Sequence, residues 1–118
     1  MAHLFNTQIE ANGGVVNDGW ERYPIGATLS VTSNTITPTQ SCHLLADVTA
    51  SIDTIAGGTQ GDVLYLRKNG SNVVTFNRTS SVRLPSASIT IATAGHLVKF
   101  VCYASDIWVL EAHQLNTT

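Results

Sequence analysis

Short runs of β-branched and aliphatic residues, each closed by turn residues, dominate the chain from Ile25 onward. Val, Ile and Thr are the main residues of these runs, and Gly, Asn, Ser or Pro interrupts them about every ten positions. Such residues favour pleated, half-buried strands, and no stretch repeats its apolar residues with the 3.6-residue period of a helix. The pattern predicts an all-β fold, namely an antiparallel β-sandwich or barrel-like module.

Two glycine-containing stretches separate predicted strands. Asn69-Gly70 stands between the apolar runs 62–68 and 72–77, and both of its residues tolerate the positive φ angles of a tight hairpin turn. We therefore expect these two runs to pair with each other. The stretch 57–62 (GGTQGD) lacks the Lys-Ser/Thr of a P-loop, and a strand follows it where a phosphate site requires a helix. It is predicted to be a structural turn.

Residues 1–24 differ from the rest of the chain. They contain two turn sequences, at 12–14 and 17–19, and show no sustained periodicity. Their scattered apolar side chains make the segment too apolar for a solvated tail. These side chains are Leu4, Phe5, Ile9, Trp20 and Tyr23. We predict that residues 1–24 form an extended N-terminal arm that orders against a partner, followed by one β-module over residues 25–118.

The composition excludes several classes of partner. Charged residues make up 12% of the 118 residues, about half of the usual roughly 25%, which favours burial against other chains. The net charge of -2 gives no electrostatic footprint for nucleic acid or an anionic membrane. The sequence lacks a signal peptide and any apolar run of the roughly 18 residues that span a bilayer. We expect synthesis in a cytoplasm, where Cys42 and Cys102 remain reduced.

Two predicted strands are apolar on both faces. Within 62–67, Val63 and Tyr65 alternate with two leucines, and two apolar sets alternate in the same way within 96–103. An antiparallel strand with one face in water alternates apolar and polar residues instead. We therefore expect the second face to meet a partner, most simply a symmetry-related copy. The predicted oligomer interface includes Leu64, Tyr65, Leu66, Leu97 and Tyr103.

No arrangement of histidines or cysteines indicates catalysis or a metal site. The four histidines lack an i, i+4 partner and a cysteine at ligand spacing. Cys42 and His43 are adjacent in a predicted strand, so their side chains point to opposite faces. They therefore cannot form a nucleophile–base pair. We expect no metal and no cofactor.

Two further groups of residues remain as alternatives. Asp47 and Asp53 could pair as acid and base across neighbouring strands, although exposed strand-end carboxylates are the commoner arrangement. The aromatic side chains could form a sugar-binding platform; these are Trp20, Tyr65, Tyr103 and Trp108. The simpler interpretation makes Trp108 a buried anchor and Tyr65 an interface residue.

Several short sequences follow one another in an order that resembles a small β-module of tailed-bacteriophage virion proteins. They are Leu29-Ser-Val31, Ile36-Thr-Pro-Thr39, Cys42-His43, Ile52–Gly58, Gly61–Arg67, Val82-Arg-Leu84 and Ile107-Trp108. That module occurs in tail fibres, tailspikes and capsid decoration proteins. The chain departs from its pattern in having Cys42 where an aromatic residue is common, Ser81-Val82 where Asn-Ile is common, and Ala104–Trp108 at the Asp-Gly-x-x-Trp ending.

The resemblance implies a trimeric, non-enzymatic, β-rich virion protein. A tail fibre normally needs an attachment domain, a shaft and a tip, whereas this chain consists of an arm and one module. The expected function is therefore that of a homotrimeric capsid decoration (cementing) protein, which binds the major capsid protein on the capsid surface and stabilises the shell. The alternative is a receptor- or glycan-binding module of a tail fibre or tailspike. Neither implies a nucleic-acid or membrane partner.

Overall fold

A computed structural model describes residues 24–114, and these residues form ten β-strands. The strands are β1 (Thr35–Ile36), β2 (Cys42–Leu45), β3 (Ala50–Ile52), β4 (Thr54–Ile55), β5 (Val63–Lys68), β6 (Val74–Asn77), β7 (Val82–Arg83), β8 (Ser88–Ile91), β9 (Leu97–Ala104) and β10 (Ile107–Gln114). The predicted all-β class is confirmed. No helix among residues 24–114 is long and apolar enough to cross a membrane. Apart from Pro24, the predicted arm lies outside the described residues.

The strands form three sheets around one core. The largest sheet has the order β2-β5-β9-β10-β7, the second has β3-β6-β8, and the third pairs β1 with β4. Phe76 of the second sheet and Phe100 of the largest sheet are in contact, with ring centroids 5.3 Å apart. Both rings are buried, so the inner faces of these two sheets meet across the core.

Parallel pairing is the main departure from the predicted antiparallel fold. β2 lies parallel to β5, β3 to β6, β1 to β4 and β7 to β10. Cys42 pairs with Tyr65, 23 residues further along the chain, and Ala50 pairs with Val74, 24 residues further along. The chain therefore passes through the same two sheets twice, and the second turn of this winding stacks on the first.

The hairpin predicted at Asn69-Gly70 is wrong. β5 pairs with β2 and β9, whereas β6 pairs with β3 and β8, so the two flanking strands belong to different sheets. Gly70 does adopt a positive φ of 94°. The turn that it makes carries the chain around a corner from one sheet to the next. Turn residues specify a change of direction, and they leave open which strands pair on either side of it.

A polar cluster connects the corners of the two stacked turns. Lys68 is buried, its Nζ donates to the Gly70 carbonyl at 3.2 Å and it lies 3.5 Å from Asp47 Oδ1. The backbone N–H of Asn72 donates to the same carboxylate oxygen at 3.0 Å. This hydrogen bond, supported by Lys68, lowers the pKa of Asp47. A buried ammonium requires a counter-charge and acceptors, and the corner supplies both.

Trp108 anchors one end of the core, as the sequence predicted. It lies in β10 opposite Cys102 and is 3% exposed. Its indole Nε1–H donates to the Gly57 carbonyl at 3.1 Å. A Cβ atom at Gly58 would lie 2.6 Å from the indole ring, so the absence of a side chain there lets the glycine-rich turn pack directly on the tryptophan.

Replacing Trp108 tests this anchor. We expect Trp108→Ala to lower the free energy of unfolding by about 3–5 kcal/mol, because it removes a buried aromatic side chain and leaves a cavity. Trp108→Phe keeps most of the buried ring surface and loses the hydrogen bond to Gly57. It should therefore lower the free energy of unfolding by less than Trp108→Ala does. Urea unfolding followed by circular dichroism measures both. A Trp108→Ala protein as stable as the parent would contradict the buried position.

Candidate interaction surface

The five-stranded sheet has one face in the core and a second face that points away from it. We call the second face the outer face. The strand register places Val63, Val101 and Val109 side by side across β5, β9 and β10, and it places Cys42 beside Tyr65. These side chains are all only partly buried. The apolar members of the outer face are Cys42, Leu44, Val63, Tyr65, Leu97, Val101 and Val109.

The five residues predicted at an oligomer interface divide between the two faces of this sheet. Leu64 and Leu66 are 1% and 0% exposed and belong to the core of the chain itself, so the prediction is wrong for these two. Tyr65 and Leu97 are partly exposed on the outer face, and Tyr103 is 62% exposed near the end of β9. The prediction stands untested for these three residues, which are accessible to a partner.

Three charged residues of the outer face, Lys99, Glu111 and Arg83, have a charged or aromatic partner, whereas Arg67 on the same face is exposed. Lys99 Nζ lies 2.6 Å from Glu111 Oε1, and this hydrogen bond raises the pKa of Lys99. Glu111 is the extra residue of a β-bulge in β10, a feature that re-aims a side chain. Lys99 also lies over the Tyr65 ring, and Arg83 lies over Tyr103, at 5.6 and 5.9 Å from the ring centroids. Apart from Arg67, the charges on this mainly apolar surface are thus compensated locally.

A shallow groove of about 220 Å³ lies on this face and has one histidine in its lining. It is lined by Tyr65, Leu97, Lys99, Ala112 and His113. The His113 ring stacks on His96, with centroids 5.7 Å apart and an interplanar angle of 27°. His96 is 1% exposed, and its Nε2 has no hydrogen-bond partner in the described part of the chain. Burial, with a smaller contribution from His113, lowers the pKa of His96.

The chain enters the described fold along one edge of the same sheet. The Gly26 N–H donates to the Cys42 carbonyl at 2.7 Å, and the Leu29 N–H donates to the Leu44 carbonyl at 2.8 Å. Residues 26–29 therefore run beside β2, and Ile25, just before them, is 56% exposed. The first described residues therefore lie at the β2 edge of the sheet that carries the outer face.

His43 fastens this edge. It is fully buried, and its Nε2 accepts hydrogen bonds from the backbone N–H groups of Thr39 and Gln40 at 3.0 and 3.2 Å. Its Nδ1 lies 2.7 Å from the Ala27 carbonyl, which assigns the ring proton to Nδ1. Cys42, by contrast, is partly exposed on the outer face. The prediction that these adjacent side chains point to opposite faces is confirmed.

The other candidate groups do not assemble into a catalytic site. Asp53 accepts hydrogen bonds from Asn34 and Asn77, at 3.3 and 2.8 Å, whereas Asp47 belongs to the corner cluster with Lys68. The two carboxylates thus have separate partners. Neither Cys42 nor Cys102 forms a disulfide. Within residues 24–114, no three His, Cys, Asp or Glu side chains are grouped as metal ligands.

Comparison with known proteins provides no relative from which a function could be transferred. No protein-family model matches the chain, and no curated protein matches it at a significant level. The function must therefore be inferred from the surface itself and from the order of short sequences along the chain.

The buried histidine predicts a pH dependence of stability. The pKa of His96 is lowered in the folded chain, so the unfolded chain takes up a proton first, near its ordinary pKa of about 6.5. The contribution of neutral His96 to the free energy of unfolding should be fully present above about pH 6.5, and it should fall as the pH decreases below that value. His96→Phe should flatten this part of the curve. Thermal unfolding between pH 8 and pH 5 measures the difference, and equal slopes for parent and variant would contradict the prediction.

Proposed function

We propose that the chain is a structural protein of a bacteriophage virion, and specifically a homotrimeric capsid decoration protein. In this role it binds the major capsid protein on the capsid surface and stabilises the assembled shell. The observation that carries the proposal is the outer face, a mainly aliphatic and aromatic surface on a hydrogen-bonded sheet. The order of short sequences similar to the phage virion module supports the location in a virion.

The outer face suits self-association for a physical reason. Its valines and its Tyr65 remain partly exposed in the isolated chain, and removing apolar surface from water gains about 25 cal/mol per Å². Its lysine already has a partner in Glu111, so burying the pair does not leave one uncompensated charge. Packing three copies around a common axis would cover these faces and close the assembly.

The proposal assigns capsid attachment to the arm. Its contact residues would be Leu4, Phe5, Ile9, Trp20 and Tyr23. Burying one such side chain in a capsid groove gains roughly 1.5–3 kcal/mol, while ordering the backbone costs about 1–2 kcal/mol per residue. One arm should therefore bind weakly. Three arms on one trimer bind together because attachment of the first raises the effective concentration of the others.

A charged substitution on the outer face tests self-association. We expect the parent protein to scatter light as a particle of three times 12.6 kDa. Leu97→Lys should raise the concentration needed for assembly at least about tenfold, since a buried leucine contributes about 1.5–3 kcal/mol. Val48→Lys is the matched control, because Val48 is 43% exposed and lies outside the outer face. A monomeric parent, or equal effects of both variants, would contradict the proposed interface.

Deletion of residues 1–24 tests the attachment role of the arm. The hydrogen bonds of residues 26–29 with β2, and those of His43, remain intact in this truncation. We therefore expect a folded trimer with an unchanged β-type circular dichroism spectrum. It should fail to co-sediment with capsids stripped of the native protein. Full-length Phe5→Ser/Trp20→Ser should show the same defect. A truncated trimer that still saturates the capsids would place attachment in the β-module and contradict the arm's role.

A further inference from the structure

We propose that a pocket at one end of the five-stranded sheet binds a single small, neutral, hydroxyl-rich ring such as a monosaccharide. This inference goes beyond the structural function proposed above. The pocket lies where β2 and β5 begin and has a volume of about 240 Å³. It is lined by Pro38, Thr39, Gln40, Ser41, Gly58, Asp62, Val63 and Trp108.

One wall of the pocket is the loop 38–41, and hydrogen bonds to its backbone hold it in place. The buried His43 accepts hydrogen bonds from the backbone N–H groups of Thr39 and Gln40. The carbonyl of Ser41 accepts from the Tyr65 N–H of β5 at 2.7 Å. Backbone groups therefore fix the loop, and the side chains of Thr39, Gln40 and Ser41 make no hydrogen bond to another described residue. A wall that is already ordered loses little conformational entropy when a ligand binds.

The glycine-rich turn contributes Gly58 and Asp62 to the lining, and it is also fixed. The Thr59 N–H donates to Asp62 Oδ2 at 2.9 Å, and the Asp62 carbonyl accepts from the Cys102 N–H at 2.8 Å. The hydrogen bond from Trp108 to Gly57 holds the start of the turn. The second carboxylate oxygen of Asp62, Oδ1, has no partner among residues 24–114. It is thus available as an acceptor.

The chemistry of the lining selects the class of ligand. Two hydroxyls, one amide and one carboxylate offer several donors and acceptors within a small volume. The apolar surface comes mainly from Pro38 and Val63, and the nearly buried Trp108 also lines the pocket. Ligand sites of this composition combine apolar contact with a few polar groups that fix orientation. A sugar ring matches it, because its C–H groups are apolar and its hydroxyls both donate and accept.

Charge and size exclude other classes. Asp62 is the only ionisable residue among the eight that line the pocket, and its carboxylate disfavours phosphates, carboxylates and other anions. The volume of about 240 Å³ is below the roughly 300–1,000 Å³ of pockets for drug-sized ligands. The pocket therefore accommodates one ring and leaves the remainder of a longer glycan outside it.

Nuclear magnetic resonance of the full-length protein labelled with 15N tests the proposal. The probes are D-glucose, D-galactose and N-acetyl-D-glucosamine, each titrated to about 50 mM. The dissociation constant expected for a ligand with about a dozen non-hydrogen atoms is on the order of millimolar. At least one sugar should shift the amide signals of Ser41, Gly58 and Asp62 and the indole N–H signal of Trp108 in a saturable manner. The absence of such shifts with all three sugars would overturn the proposal.

Matched variants separate specific binding from weak general effects. Asp62→Asn keeps an oxygen for the Thr59 N–H and removes the charge, and Ser41→Ala removes one hydroxyl; each should weaken binding at least fivefold. Asp106→Asn is the control, because Asp106 is an exposed carboxylate outside the pocket with a φ of 62°, which asparagine tolerates. Binding that is equally strong in all three variants would overturn the proposal. So would tighter binding of ethanolamine than of every sugar, since it would indicate a cation site at Asp62.

Discussion

Backbone hydrogen bonds between the two stacked turns of the winding determine the positions of the outer face and of the corner cluster. The parallel pairing of β2 with β5 places Cys42 beside Tyr65 and so defines the outer face. The pairing of β3 with β6 lies one corner further along the chain, and there the buried Lys68 joins the two corners through Asp47 and Gly70. The first turn pairs with the second along both β2–β5 and β3–β6. A shift of register between the two turns would therefore move the corner cluster and the outer face together.

The sequence predicts the elements of this fold better than their arrangement. Val, Ile and Thr runs without helical periodicity identified the β class, and the buried position of Trp108 followed from its place in an apolar run. The sequence does not reveal the parallel stacking of the two turns, because the inward-facing positions that pair between them carry chemically different residues. His43 lies beside Leu66, and Leu45 lies beside Lys68. No repeated pattern therefore marks the 23-residue offset, and Asn69-Gly70 suggested a local hairpin in its place.

Strand β5 shows why only part of the interaction surface could be predicted. Alternation in β5 separates Val63 and Tyr65 from Leu64 and Leu66, but it does not say which set faces inward. Charged residues usually mark the outer set, and Arg67 belongs to the set of Tyr65. Lys68, however, belongs to the set of the two leucines, and it is buried only because Asp47 and the corner backbone compensate its charge. Such compensation depends on tertiary contacts that no local pattern encodes.

Residues 26–29, the loop 38–41 of the small pocket and part of the outer face meet at the β2 side of one sheet. His43 is the link, since its imidazole holds residue 27 of the entering segment on one side and the pocket loop 38–41 on the other. Its neighbour Cys42 contributes to the outer face, and Val63 belongs both to that face and to the lining of the pocket. A second copy seated on the outer face would therefore approach the rim of the pocket, so self-association and ligand access should influence each other through Val63.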